Sequence, residues 1–194
     1  MKLAPLLSGT VFAGIALALL VAGPVASKSR NVTDADAPRS LPAESPVSVD
    51  WTDPAQFSEI RNSGNRWEAK RGNWVEQLAQ HLQKSALKKL PQGESLQVTF
   101  TDIKRAGSYE PWHGPNMRDT RIIRDIYPPR ISLTFKRLDA RGEVIEQGER
   151  KLSDSAFLMG STRLSDNDPL RYEKNMLDSW LRREFKQDAS LSVR

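Results

Sequence analysis

An apolar run at residues 11–22 (VFAGIALALLVA), stopped by Gly23 and Pro24, decides how much of this chain is left to fold. Lys2 places a positive charge ahead of it. Val25, Ala26 and Ser27 then put small residues where a signal peptidase reads its cleavage site. The run is too short to span hydrocarbon comfortably, which takes about 20 apolar residues. Residues 1–27 therefore read as a cleavable export signal, with an uncleaved N-terminal anchor as the alternative. Residues 28–194 remain, enough for one domain with a core of its own.

The chain has no cysteine. Disulfides, a lipoprotein anchor, thiolate-held metal and thiol catalysis are all excluded. Basic and acidic residues number 29 and 24, a formal net charge of +5 with the signs interspersed. That balance describes an ordinary solvated surface and points only weakly to an anionic partner. No second apolar run approaches membrane length, so no transmembrane segment is expected after signal cleavage.

Residues 28–46 (KSRNVTDADAPRSLPAESP) hold three prolines and little that is large and apolar. Such a segment gains too little from burial to offset its ordering entropy, and it is expected to be a flexible tether. Order is expected from Val47. Val47, Val49 and Trp51 alternate with polar residues, as a half-buried strand requires. Asp53-Pro54 starts a turn, and residues 61–66 read as a loop. Asn73 and Glu76 have the spacing of a capping box. Behind them Trp74, Leu78, Leu82 and Ala86 recur every four residues, an amphipathic helix that Pro91 and Gly93 end. Gly72 argues against an earlier start near Trp67.

Leu96, Val98 and Phe100 mark a second strand, and Ile131, Leu133 and Phe135 a third. Residues 106–119 read as a loop, and residues 121–127 are ambiguous between strand and helix. A tight turn at residues 139–142 returns the chain into a fourth strand over residues 143–152. Asp168-Pro169 opens a last helix that buries Met176, Leu177, Trp180, Leu181 and Phe185. Residues 187–194 are expected to fray. The order β-α-β-β-β-α predicts an α+β fold over residues 47–186. Its four-stranded sheet is mostly antiparallel, with two helices packed on one face.

Candidate chemistry is sparse. His81 lies at the edge of the first helix stripe. His113 sits in a loop bounded by proline and glycine, where Glu110 or Asp119 can orient it as a general base. Ser161 follows Gly160 but lacks the second glycine of a nucleophile elbow. The histidines have no metal-site spacing, and Asp166, Asn167 and Asp168 are adjacent rather than alternating, so no metal site is expected. No glycine-rich phosphate loop is present, and no cofactor is expected. Residues 118–130 are the densest charged stretch, with Arg118, Arg121, Arg124 and Arg130 against Asp119 and Asp125. They form either an anion-recognition surface or an internal Arg–Asp network. Trp112, flanked by Pro111 and His113, is either a partner or sugar anchor or a lid on the core. Trp74 and Trp180, on apolar helix faces, are core.

Three stretches together carry a resemblance. They are EPW and GPN at residues 110–112 and 114–116, RIIRDIYPPRI at 121–131, and DPLRYEK at 168–174 with Trp180 and residues 183–185 (REF). The chain resembles a family of exported proteins of Gram-negative bacteria known as a domain of unknown function. The likeness spans roughly residues 47–186. It implies a single domain in the bacterial envelope and brings no catalytic residues with it. The expectation is a periplasmic, non-enzymatic binding or envelope-accessory domain. Trp112, Arg121, Arg124, Tyr127 and Arg130 would meet an envelope protein or an anionic envelope polymer, not nucleic acid. The alternative is an envelope hydrolase with His113 as its base.

Overall fold

The computed structural model describes residues 31–42, 46–159 and 167–191, with side chains to residue 185. The expected export signal, Gly160 with Ser161 and Thr162, Asp166, and residues 192–194 of the expected frayed tail lie outside them. The Val47-Val49-Trp51 alternation becomes β1 (Val47–Trp51), with those three side chains buried. Two short helices follow, α1 (Ser58–Arg61) and α2 (Arg66–Lys70). The stretch expected as a loop is the joint between them. Helices of four or five residues are too short to show a period. Asn65 caps α2 by accepting from the Glu68 N–H at 3.2 Å. Gly72, at φ 83°, separates α2 from α3 (Trp74–Leu87).

Helix α3 buries the stripe read from the sequence, with Leu78, Ala79, Leu82 and Ala86 fully enclosed. Its expected capping box does not form. The Asn73 side chain meets the side chains of Glu76 and Gln77 at 3.4 and 2.7 Å and caps no backbone N–H.

Then come β2 (Ser95–Lys104), the short pair β3 (Ser108–Tyr109) and β4 (Arg121–Ile122), and the hairpin β5 (Arg130–Leu138) and β6 (Val144–Ser153). Helix α4 (Arg171–Leu191) closes the chain and reaches into the stretch expected to fray. Asp168 stands ahead of it, accepting from Leu170 N–H at 2.8 Å and from the Lys174 ammonium at 2.6 Å. The helix itself begins two residues later than the Asp168 cap predicts.

The main sheet runs β1-β2-β5-β6. Pairs β2–β5 and β5–β6 are antiparallel, and β1–β2, joined through α3, is parallel. The expected α+β class and mostly antiparallel four-stranded sheet are what the chain adopts. One sheet face carries Val49, Val98, Phe100, Ile131 and Leu133 into the core against α3 and α4. Phe135 meets Trp180 edge to face at 5.9 Å. His81 sits at the helix edge as read, joining α3 to α4 through Asp178 at 3.1 Å. The opposite sheet face is polar, with Thr99, Asp102, Ser132, Thr134, Glu149 and Lys151. No helix among the described residues is long and apolar enough to cross a membrane.

The tether reading of residues 28–46 is corrected for residues 31–42. Leu41 N–H donates to Val49 C=O at 3.0 Å and Trp51 N–H to Arg39 C=O at 2.9 Å, so the segment covers the free edge of β1. Val32 N–H donates to Lys70 C=O at 2.9 Å, and Val32 and Leu41 are buried. The gain lies in satisfying an edge strand's backbone groups, which composition does not register.

Candidate functional site

Between β2 and β5 the chain makes an excursion over residues 107–127. Gly107 turns it out at φ 78°, and its N–H donates to Tyr127 C=O at 2.9 Å, closing the base. A side chain at residue 107 would place its Cβ 2.6 Å from the Ile122 carbonyl oxygen. Strands β3 and β4 pair above this joint. Beyond them Pro111 and Pro115 each start a short 3-10 turn, with Gly114 at φ 98° between.

At the tip, one buried carboxylate organises three side chains. Glu110 is 1% exposed. Its Oε1 accepts from the Tyr127 hydroxyl at 2.8 Å, and its Oε2 lies 2.8 Å from His113 Nε2 and 3.1 Å from Arg124 Nη2. Burial alone would raise the Glu110 carboxyl. The hydrogen bonds from Tyr127 and His113, with the Arg124 charge, more than offset that and hold it below the usual carboxylate range. The same hydrogen bond, with burial, pushes the Tyr127 phenol up. His113 and Arg124 stay half-exposed, at 42% and 47% of their side chains. Trp112 is 69% exposed, its ring 6.1 Å from that of His113. It is not a lid.

The five residues read as one surface separate into three environments. Trp112, Arg124 and the supporting Tyr127 meet at the loop tip. Arg121 turns inward, and its placement on a recognition surface is corrected. It forms a very short ion pair with buried Glu59, donates to the carbonyls of Ala106 and Gly107 at 3.1 and 3.3 Å, and stacks on Tyr109 at 4.6 Å. Arg130 lies elsewhere, at the start of β5, opposite Lys104 and Ser153.

An internal network does exist, but its acids are Glu59 and Glu110. Asp119 instead accepts from the Asn65 amide at 2.8 Å, and Asp125 from the Ile126 N–H at 2.9 Å. Glu59, which also holds Lys104 at 3.1 Å, carried no sequence signal, because it meets Arg121 from 62 positions away.

Chemically, the tip is half of a catalytic pair. With Nε2–H given to Glu110, His113 keeps a lone pair on Nδ1, a base with its orienting carboxylate. Among the described residues no serine or threonine hydroxyl is hydrogen-bonded to His113. Nor is any group of three or more His, Asp or Glu side chains placed there to hold a metal ion.

Residues 45–183, from just ahead of β1 into α4, match the model of a family described as a protein of unknown function (DUF3016). No curated protein and no solved structure matches the chain.

Proposed function

This chain belongs to the DUF3016 family, and from that premise we propose that it is a periplasmic, non-enzymatic binding domain taking an anionic polymer of the Gram-negative envelope at the 107–127 tip. One observation carries the reading. An indole 69% exposed stands beside a histidine and an arginine that a buried carboxylate holds in place. A tryptophan so exposed adds little to the core, while a guanidinium and an imidazole fixed in advance lose less freedom on binding. The export signal expected at residues 1–27 supports a location outside the cytoplasm, and the resemblance of the three motifs supports the envelope.

The test uses residues 28–194, with Trp112→Ala and Arg124→Ala, in co-sedimentation with purified peptidoglycan and in binding to lipopolysaccharide. The unaltered chain should be retained by at least one polymer. Both variants should lose most of that retention while their melting temperatures stay nearly unchanged. Retention that survives both substitutions, or that disappears only along with a large fall in Tm, defeats the proposal. A photo-crosslinker at position 112 that captures an envelope protein instead of polymer replaces the partner class.

The hydrolase reading keeps one supporting observation, the 2.8 Å His113–Glu110 pair. It requires fragment release from an envelope polymer by the unaltered chain, abolished in His113→Ala. No release by the unaltered chain removes it.

A further inference from the structure

Two adjoining pockets lie away from the loop tip, on the polar side of the sheet and along α1 and α2. The first, about 330 Å³, is lined by Lys104, Arg130 and Lys151 with Ser132, Ser153 and Asp102. The second, about 340 Å³, is lined by Arg61, Arg66 and Lys70. Asn62 lines both and marks where the two lobes of this groove meet.

Six cations line this groove against one carboxylate, and that carboxylate is occupied. Asp102 accepts from the Ser58 N–H and hydroxyl at 2.5 and 2.7 Å. The other nearby acids are engaged as well. Glu59 is buried under Lys104 and Arg121, Glu68 pairs with Arg71 at 2.8 Å, and Glu149 stands 3.5 Å from Lys151. Lys104 is itself spent on Glu59 and on the carbonyls of Arg105 and Gly107. Among the described residues Arg130 makes no ion pair and no side-chain hydrogen bond.

Sheet register adds a second argument. Arg130 stands directly opposite Lys104, and Lys151 opposite Ser132, one diagonal step from Arg130. Like charges at such positions weaken a sheet. A fold that gathers them around a groove gains most when an anion fills it. Guanidinium forks match phosphate oxygens bidentately, and the hydroxyls of Ser132 and Ser153 add donors.

We propose that this groove binds a small molecule carrying two or more phosphate groups, one taken by Arg130 and Lys151 and another by Arg61, Arg66 and Lys70. The groove shares no side chain with the Glu110 cluster, so it stands or falls apart from the polymer reading.

The experiment is calorimetric titration of residues 28–194 with orthophosphate, tripolyphosphate and fructose 1,6-bisphosphate. Tripolyphosphate or the bisphosphate should bind saturably, at least about tenfold tighter than orthophosphate, because two subsites then act on one molecule. Tighter tripolyphosphate assigns linked phosphates, and tighter bisphosphate assigns phosphates carried apart on a sugar. Arg130→Ala and Arg66→Ala should each weaken the preferred ligand by about tenfold with the ligand-free Tm unchanged. Affinity no better than that for orthophosphate, or undiminished in both variants, overturns the groove. Should either alanine variant misfold, Arg130→Gln and Arg66→Gln carry the same expectation.

Discussion

Among the buried glutamates, Glu59, Glu110 and Glu173 differ in how fully they are paired. Glu59 meets Lys104 and Arg121, and Glu110 meets Tyr127, His113 and Arg124. Glu173 has the Ala106 N–H at 2.6 Å on one oxygen, and its other oxygen has no hydrogen-bond partner among the described residues. Burial pushes the Glu173 carboxyl up, and the Arg105 charge and the backbone hydrogen bond only partly offset it. A carboxyl raised in the folded state favours folding fully below its unfolded value, here 4.5, and that contribution is lost as pH climbs through the folded value. Glu173→Gln copies the protonated form. Its melting temperature should match the unaltered chain near about pH 4.5 and exceed it increasingly as pH rises. Parallel Tm-versus-pH curves for the two would show that Glu173 is not the group responsible. Sequence placed Arg121 and Arg124 in one run, one helical turn apart at most. Their fates diverge because Glu59 and Glu110 reach them from different elements, and pairing across 62 positions leaves no local trace.

Among the elements, α3 and strands β1, β2 and β5 followed their periodicity, and the short elements did not. Helix α3 buries the stripe its spacing predicts, and β1, β2 and β5 bury alternate residues. Helices α1 and α2, and the pair β3–β4, have two to five residues each, too few for a repeat to declare itself. The 107–127 excursion depends on its first residue. Gly107→Ala imposes a positive φ on a residue with a Cβ and drives that Cβ toward the Ile122 carbonyl. The expected cost is about 2 kcal/mol, read by denaturant unfolding. A changed Trp112 fluorescence in the folded state should accompany it, since the turn that aims the tip is displaced. A variant as stable as the original, with the same emission, would mean that the excursion is set by its proline turns alone.

For the whole molecule, edge coverage matters as much as the core. Residues 39–41 pair along β1, and Val32 and Leu41 add buried apolar surface. A chain starting at Val47 should therefore melt lower than residues 28–194 and associate at concentrations where the longer chain stays monomeric, because it bares a strand edge. Scattering and thermal melts on the two chains check this. Equal Tm and equal monodispersity would return the segment to the role of a tether. By themselves, the alternating and four-residue apolar repeats determined that this chain makes an α+β domain with two principal helices on one sheet face. They do so because burial period is a local property, written every two residues in a strand and every three or four in a helix. Tertiary structure alone decided that β1 runs parallel to β2, that residues 31–42 seal an edge, and that the arginines of one run part between an interior ion pair, a loop tip and a groove. Each of those outcomes rests on backbone or charge partners remote in the chain, and a local pattern carries no record of what it will meet.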